Sequence, residues 1–402
     1  MVPFYLELAR ELLANYGAPV YVYQGAKLQE TIECITRSVP YPRTQFRFAS
    51  VTNGNVALLQ IFQGAGWGLH ANTPGDIYLG LQAGFDSSQI VYSGSNLSRE
   101  EMQQVLLCGV ETLNLDSIAQ LEVFCDVYVE LTEQWLTMGD SQSMRLGLRL
   151  NLPEITGDTR IGVRPDEFAS AGAIAASAGL KINGLHFYRG TGTNATIAFT
   201  EVIDTVIATA QQLPDWQYLD FGGGFGYPYH AGGVAFDWEM FGAELSQRLD
   251  AMARPIDLII EPGRAAIAGC ACLLARVVSV KWQESKQIVG VNTSIANLAV
   301  LSVHGGYREI VTWAEPTSKL YPTDVCGNTT YSRDYLGRNC QLPALQMGDI
   351  IAILDVGAYG YAMSSHFLHR PRPAEVLLEE GQHRLIRSSE DYSVLLHNQV
   401  FN

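Results

Sequence analysis

The sequence predicts an α/β protein with a (β/α)8 TIM-type barrel and a mainly antiparallel C-terminal β domain. A chain of 402 residues is long enough for one large barrel and one smaller domain. Between residues 45 and 265, eight short apolar segments alternate with segments whose apolar residues recur at helical spacing. After Arg264 the apolar segments follow one another without long helices, which is typical of an antiparallel sheet.

The predicted barrel strands come in a regular order, and each ends in polar or glycine residues. They read QFRFASV, GWGLHA, QIVYSG, ETLNLD, MRLGLRLN, INGLHFYRG, QYLDFGGG and DLIIEPG. Helical spacing lies between them, as in PGDIYLGLQAGF, REEMQQVLLCGV and FTEVIDTVIATAQQL. This alternation favours a closed barrel, and an open doubly wound sheet is the alternative.

The predicted β domain combines both ends of the chain. LLARVVSVKW, KQIVGVNT and DIIAILDVG are predicted strands, and AEVLLEEGQHRLI is typical of a hairpin. The early strand PVYVYQ precedes the barrel and can join this sheet. We therefore predict a barrel over residues 25–267 and a β domain made of residues 1–24 and 268–402.

Composition and charge exclude several classes of function. A hydrophobic content of 47% with 17% charged residues is typical of a folded, soluble protein. The net charge of -15 disfavours nucleic acid and anionic membranes as partners. Glu261, Pro262 and Arg264 interrupt the longest apolar region, so we expect no membrane span. The first residues lack the basic segment of a signal peptide, which predicts a cytoplasmic protein.

The cysteines do not predict a disulfide framework, because seven of them lie at scattered positions. Cys270 and Cys272 form a C-x-C pair with no second pair nearby. This pattern favours two residues on the same face of a buried strand, and metal binding is the alternative. We expect no metal site.

Two motifs at predicted strand ends favour a bound phosphate group. DFGGGFG places Gly222, Gly223 and Gly224 directly after a strand, where glycine lets backbone N–H groups approach an anion. In EPGR, Arg264 can bind a phosphate oxygen while Glu261 pairs with a protonated ring nitrogen. Each motif also has a structural interpretation: a tight strand-to-helix turn for the first and an internal ion pair for the second.

Together these segments resemble the alanine-racemase-like, pyridoxal-phosphate-dependent decarboxylases of diaminopimelate, ornithine and arginine. The resemblance is carried, in order, by YVYQGAKLQE, LHANTPGDIYLGLQAG, GLHFYRGTGT, LDFGGGFG, EPGRAAIA and LQMGDIIAILDVGAYGYAMSSHFLHRPRPAEVLLEEG. It implies a barrel that binds pyridoxal phosphate, and a carboxy-lyase activity on a small amino-acid or polyamine-type substrate. It also implies a head-to-tail homodimer with shared sites.

The resemblance assigns roles to individual positions. The cofactor-binding positions that it implies are His186, Thr191, Gly222, Gly223, Gly224, Glu261, Gly263, Arg264 and Tyr359. Glu261 matches the carboxylate that contacts the pyridine nitrogen, and Cys326 matches a cysteine offered by the partner subunit. Tyr188 stands where the family has a histidine on the cofactor ring, and it can stack through its aromatic face. For His186, a structural strand histidine is the alternative.

Several catalytic positions of the family are changed. The cofactor-bearing lysine falls at Val51, an aspartate falls at His70, and a carboxylate falls at Gly327. A substrate-binding arginine falls at Val300, and a second lysine at Leu97. We therefore expect pyridoxal phosphate to be held without a covalent bond. The catalytic candidates are Cys326, His70 and Tyr188.

Another lysine would have to replace the one missing at Val51. The chain has only Lys27, Lys181, Lys281, Lys286 and Lys319. Lys319 is the sole candidate to reach the site, because it precedes Cys326 by a short segment, and a solvated loop lysine is the alternative. Losing a positioned acid–base group costs roughly 10²–10⁴ in rate.

Three hypotheses follow for the function. The first is a decarboxylase that works without the usual lysine, and the second is a non-catalytic relative that binds a phosphorylated ligand. The third is an enzyme for another phosphorylated substrate, with acid–base candidates His70, His186, Tyr188, Arg189 and Cys326. The retained Glu261 and Cys326 favour an enzyme, and lysine, ornithine, diaminopimelate and conjugated polyamines stay open as substrates.

Overall fold

The computed structural model describes residues 2–138, 144–190, 192–303, 306–313 and 319–401. The chain forms two compact units. The barrel unit contains residues 31–227 and 234–266, and the β unit contains residues 1–30, 228–233 and 267–402.

The helices and strands occupy the following ranges. The helices are α1 (Leu6–Tyr16), α2 (Gly25–Ser38), α3 (Val56–Gly64), α4 (Pro74–Ala83), α5 (Arg99–Leu107), α6 (Ile118–Met138), α7 (Pro153–Thr156), α8 (Phe168–Ser177), α9 (Thr196–Thr200), α10 (Ile203–Ala210), α11 (Trp238–Asp250), α12 (Arg264–Ile267) and α13 (Val300–Val303). The strands of the β unit are β1 (Val20–Gln24), β10 (Ala271–Gln283), β11 (Lys286–Val291), β12 (Ile310–Thr312), β13 (Leu320–Cys326), β14 (Tyr335–Pro343), β15 (Ile350–Leu354), β16 (Ala374–Glu379) and β17 (Gln382–Arg387). The strands of the barrel unit are β2 (Thr44–Ala49), β3 (Gly68–Ala71), β4 (Ile90–Tyr92), β5 (Thr112–Leu115), β6 (Arg145–Arg149), β7 (Ile182–His186), β8 (Tyr218–Asp220) and β9 (Asp257–Ile260).

The barrel unit is a closed parallel barrel in which β2 to β9 pair in chain order. The barrel closes where Thr44 pairs with Leu258 and Phe46 pairs with Ile260. Seven strands lie inside the predicted apolar segments and β2 begins one residue before its segment, which confirms the predicted barrel over the open sheet. Because all strands run in parallel, their carboxyl ends share one mouth, where active groups of such barrels lie.

Local sequence signals start the helices that surround the barrel. Thr73 caps α4 by accepting a hydrogen bond from the Asp76 amide, and the Asp76 carboxylate accepts one from the Thr73 amide. Ser98 and Glu101 form the same reciprocal cap on α5. A Cβ atom on Gly80 would lie 2.5 Å from Leu69, so glycine lets α4 pack closely against β3.

The β unit is a mixed, mainly antiparallel sheet with the strand order β14-β13-β11-β10-β1-β16-β17. The early strand β1 pairs antiparallel with β10 and parallel with β16, which confirms that both chain ends meet in this sheet. Val20 and Val22 pack with Leu274 and Val376 in its core. Across the described ranges, no helix is both long and apolar enough to cross a bilayer.

The C-x-C pair is buried. Cys272 lies in β10, but Cys270 ends the short 3-10 turn before it, so the prediction of two residues in one strand is wrong for Cys270. Burial raises the pKa of Cys270 to about 12. Within the part of the chain that the structure describes, neither thiol belongs to a metal-ligating group.

Candidate active site

Four titratable side chains meet inside the mouth of the barrel. His70, His186, Asp220 and Glu261 lie at the ends of β3, β7, β8 and β9, and all four are buried. The Glu261 Oε2 atom lies 3.3 Å from His186 Nε2 and 3.6 Å from His70 Nε2. Because the strands hold these residues, the cluster is set by the barrel and not by a loop.

Both histidines are neutral at physiological pH. Burial, followed by the nearby His186 and Arg149, lowers the pKa of His70 to about 3. Burial also lowers the pKa of His186 to about 4. Among the described residues, neither ring nitrogen of His70 has a hydrogen-bond partner. A buried imidazole with two unsatisfied nitrogens is uncommon, because such atoms cost free energy until a ligand or water binds them.

Asp220 and Glu261 form a pair of buried carboxyl groups. Burial, followed by the charge of Glu261, raises the pKa of Asp220 well above its usual range. Burial raises the pKa of Glu261 to about 7, although hydrogen bonding to Asp220 and the charge of Arg149 oppose the rise. Asp220 accepts hydrogen bonds from the Gly222 amide at 3.0 Å and from Asn114 Nδ2 at 2.8 Å. Asp220 and Glu261 therefore share a proton, because two buried carboxylates cannot both ionise at low cost.

Three of these four side chains bear on metal binding. His186, Asp220 and Glu261 bring donor atoms within 4.8 Å of one another. A metal ion could use this spacing, but both oxygens of Asp220 already accept hydrogen bonds from the protein. A proton shared between the carboxyl groups explains the same arrangement, so we retain the prediction of no metal site.

The glycine turn after β8 is held by close backbone contacts. Gly222 has φ +66°, and a Cβ atom there would overlap the carbonyl oxygen of Phe187. A Cβ atom on Gly223 would lie 2.6 Å from the carbonyl oxygen of Glu261. A Cβ atom on Gly224 would lie 3.5 Å from the ring of Tyr188 and would overlap the Gly190 carbonyl. The turn therefore requires glycine because neighbouring backbone lies against it.

Two amides of this turn are available for a ligand. Gly223 is buried, yet neither its N–H group nor that of Gly224 donates a hydrogen bond to any described residue. Buried backbone N–H groups are nearly always paired in folded proteins. These two donors therefore fit an anionic oxygen at the mouth of the barrel.

Arg264 lies near this turn at the start of α12. Its Nε atom would lie 3.3 Å from a Cβ atom on Gly192, so the glycine leaves space for the guanidinium. A Cβ atom on Gly263 would lie 2.7 Å from Thr52, which brings the end of β9 close to the end of β2. Thr191, predicted to bind the phosphate, lies outside the described residues.

An aromatic ring and a cation border the cluster. Tyr188 follows β7 and is half-buried. The guanidinium carbon of Arg149, at the end of β6, lies 5.1 Å from the centre of its ring. Arg189 points elsewhere, because it donates hydrogen bonds to the backbone oxygens of Ala198 and Ile155.

Position 51 carries no reactive nitrogen. Val51 lies in a short 3-10 turn directly after β2, and its side chain is 45% exposed. Lys181 is the only lysine in the barrel unit, but it precedes β7 at the opposite end and pairs with Asp215 at 2.7 Å. Lys319 precedes β13, whose last residue is Cys326, so a whole strand separates these two side chains.

Two predicted site residues lie in the β unit. Cys326 ends β13, and burial raises the pKa of its thiol, so the thiol is protonated at neutral pH. Tyr359 follows β15 and has φ +60°, an uncommon backbone conformation for a large residue. A side chain at Gly327 would overlap the buried carboxylate of Asp334, which accepts a hydrogen bond from the Ile295 amide at 3.0 Å.

Three residues in or beside the cluster were not predicted as site residues from the sequence. Asp220 directly precedes the glycines, and this position was its only signal. Arg149 is a charged residue in a short barrel strand. From the sequence, its side chain could lie either at the mouth of the barrel or on its outer surface. Asn114, which orients Asp220, gave no signal in the sequence.

The fold and site define the class of protein as a (β/α)8 barrel with a buried cluster of titratable side chains at its mouth. Residues 26–268 match the family "Pyridoxal-dependent decarboxylase, pyridoxal binding domain". The chain therefore belongs to the pyridoxal-dependent decarboxylase family, whose cofactor is pyridoxal phosphate.

Similar proteins match the chain over nearly its whole length. A diaminopimelate decarboxylase of Methanothermobacter thermautotrophicus is 32% identical over 97% of this chain and 94% of its own. One from Aquifex aeolicus is 27% identical over 96% of this chain and 93% of its own. The crystal structure of Helicobacter pylori diaminopimelate decarboxylase (I148L mutant) with L-lysine has 25% identity and a TM-score of 0.86, covering 96% and 98% of the two chains.

Proposed function

We propose that this chain binds pyridoxal phosphate at the barrel mouth without a covalent bond and decarboxylates an amino acid that carries a second amino group. The observation that carries this proposal is the pair of unpartnered amides of Gly223 and Gly224. They lie in a turn that cannot accept side chains and that borders Glu261. This donor set fits a phosphate group next to a carboxyl group that can face a ring nitrogen.

Each side chain of the cluster would then have one task. Gly223, Gly224 and Arg264 would hold the phosphate, and Tyr359 is proposed to assist them. Glu261 would face the ring nitrogen and share a proton with it, because burial raises the pKa of Glu261 to about 7. Tyr188 would cover one face of the ring.

When bound, pyridoxal phosphate supplies an electron sink for the electron pair that remains after carbon dioxide leaves. The neutral imidazole of His70 can accept or return a proton, because both of its nitrogens lack hydrogen bonds among the described residues. Cys326 is a second proton donor in this proposal, since its thiol stays protonated. We propose that it comes from the partner subunit of a homodimer.

The substrate proposal rests on the named relatives. Those relatives are diaminopimelate decarboxylases, and the Helicobacter pylori enzyme was crystallised with L-lysine. We therefore propose meso-diaminopimelate as the first substrate to test, with ornithine and lysine next. Because Val51 offers no amine to displace the product, we expect slow turnover.

A test starts from purified protein freed of cofactor. Added pyridoxal phosphate should bind and produce a visible absorption band, and Arg264→Ser should weaken binding roughly tenfold to a hundredfold. Carbon dioxide should then be released from meso-diaminopimelate, slowly and over more than one turnover. Unchanged binding by Arg264→Ser would contradict the proposed phosphate site.

The second candidate function is non-catalytic binding of the same cofactor. The observation that favours it is Val51, because no lysine lies at the carboxyl end of any barrel strand. A band that shifts when diaminopimelate is added, with no carbon dioxide released, would support this candidate over the decarboxylase.

A further inference from the structure

We propose that the β unit holds a second small-molecule site, which binds an anion carrying a carboxylate or phosphate group. The site is a cavity of about 670 Å³ beside β14. This volume falls in the range that small-molecule ligands occupy in proteins. The proposal does not depend on the function proposed for the barrel.

The charge of the cavity indicates an anionic ligand. Arg308, Arg333 and Arg338 line it, and no acidic residue of the described chain does. This is unusual in a protein that has 41 acidic and only 26 basic side chains. Three guanidinium groups around one cavity create a positive potential, because low-dielectric walls reduce the screening of their charges.

The floor of the cavity is a fixed guanidinium. Arg308 is buried, and it donates hydrogen bonds to the backbone oxygens of Asp355 at 3.1 Å and Tyr307 at 2.8 Å. Its guanidinium carbon lies 3.5 Å from the centre of the Tyr229 ring. These contacts fix the orientation of the group before any ligand arrives.

The rim carries two exposed arginines. Within the described ranges, neither Arg333 nor Arg338 forms an ion pair with a carboxylate. The guanidinium carbon of Arg338 lies 3.6 Å from the centre of the Tyr335 ring, which holds it at the edge of the cavity. The two rim charges therefore remain available to an anion, and the guanidinium fork suits carboxylate and phosphate alike.

Aromatic rings supply the rest of the wall. Tyr331 and Phe367 contact each other edge-to-face with ring centres 5.7 Å apart, and both line the cavity. Their faces suit the carbon skeleton of an organic acid or phosphate ester, while the arginines bind its charge.

The test counts phosphate sites by equilibrium dialysis with radiolabelled inorganic phosphate on the full chain. Wild type should bind two phosphates, one in the barrel and one in the β unit. The Arg333→Ser/Arg338→Ser double variant should lose the second site, with at least about tenfold weaker binding. Arg264→Ser should lose only the first site. Arg333→Lys/Arg338→Lys should restore part of the second, because the charges return.

The outcomes separate this site from the barrel. A double-serine variant that binds phosphate as wild type does would overturn the proposal, as would the loss of all phosphate binding in Arg264→Ser. If Arg264→Ser binds two phosphates while the double-serine variant loses one site, the barrel proposal fails and this one stands. Competition with succinate identifies the group that the site prefers. If succinate displaces the phosphate that remains bound to Arg264→Ser, the ligand carries a carboxylate. If the phosphate stays bound, the ligand carries a phosphate.

Discussion

At the residue scale, the proposed non-covalent binding of the cofactor depends on Val51. Its side chain is 45% exposed at the end of β2, so a lysine there would keep its ammonium group solvated. We expect Val51→Lys to fold normally and to form a covalent bond to pyridoxal phosphate. After borohydride reduction, peptide mass spectrometry should find one cofactor on residue 51. A variant that stays unmodified although the cofactor binds would show that position 51 does not face it.

His70 should make stability depend on pH. Its folded pKa is about 3, and its ordinary value is 6.5, so the unfolded chain binds the proton more tightly. The wild type therefore loses stability as pH falls below about 6.5, and His70→Asn does not lose this contribution. From about pH 7 to about pH 5.5, the free energy of unfolding of His70→Asn should rise relative to wild type by roughly 1 kcal/mol.

Urea titrations of cofactor-free protein at both pH values would measure this difference. His397→Asn is the control, because it removes an exposed imidazole near the chain end. A constant difference between wild type and His70→Asn would mean that His70 is not buried as a neutral group.

Individual site residues could be predicted from the sequence only where they belong to a recognisable motif. DFGGGFG and EPGR predicted Gly223, Glu261 and Arg264 because glycine and charge stand out at a strand end. His70 and Arg149 come close to Glu261 only because the barrel closes, and no local pattern expresses that contact.

At the element scale, the glycine turn after β8 has no space for a side chain at any of its three glycines. A Cβ atom on Gly223 would lie 2.6 Å from a backbone oxygen that cannot move away easily. We expect Gly223→Ala to lower the free energy of unfolding by about 1–3 kcal/mol and to abolish cofactor binding. Urea unfolding and the absorbance titration would measure both effects.

Gly172→Ala is the matched control, because a Cβ atom on this glycine of α8 would meet nothing within 4 Å. It should stabilise the protein by about 0.5–1 kcal/mol and leave cofactor binding unchanged. Equal effects of the two alanines would contradict the close packing of the turn.

The strands of the barrel were predictable, and three strands of the β unit were not; one of them, β12, has only three residues. Barrel strands are buried on both faces and give continuous apolar segments. β13 contains Pro322 and Asp324, and β14 contains Gly337, Arg338 and Asn339, so neither has a regular strand pattern. Pairing with each other and with β11 holds them in the sheet.

At the scale of the whole molecule, the proposed homodimer with shared sites predicts complementation. Arg264→Ser should inactivate the barrel of its own chain, and Cys326→Ala should inactivate the site of its partner. After unfolding and refolding an equal mixture, half of the dimers would be mixed, each with one intact site. Decarboxylase activity should return to about a quarter of wild type. If the refolded mixture is no more active than the separate variants, the sites are not shared between the subunits.

The central claim is that the barrel mouth grips a phosphate through the amides of Gly223 and Gly224 and through Arg264, with no covalent bond to the cofactor. Mass spectrometry of the wild-type protein, loaded with pyridoxal phosphate and then reduced with borohydride, tests it most directly. We predict an unmodified chain and a cofactor that dialysis removes. A cofactor fixed to any of the five lysines would contradict the claim.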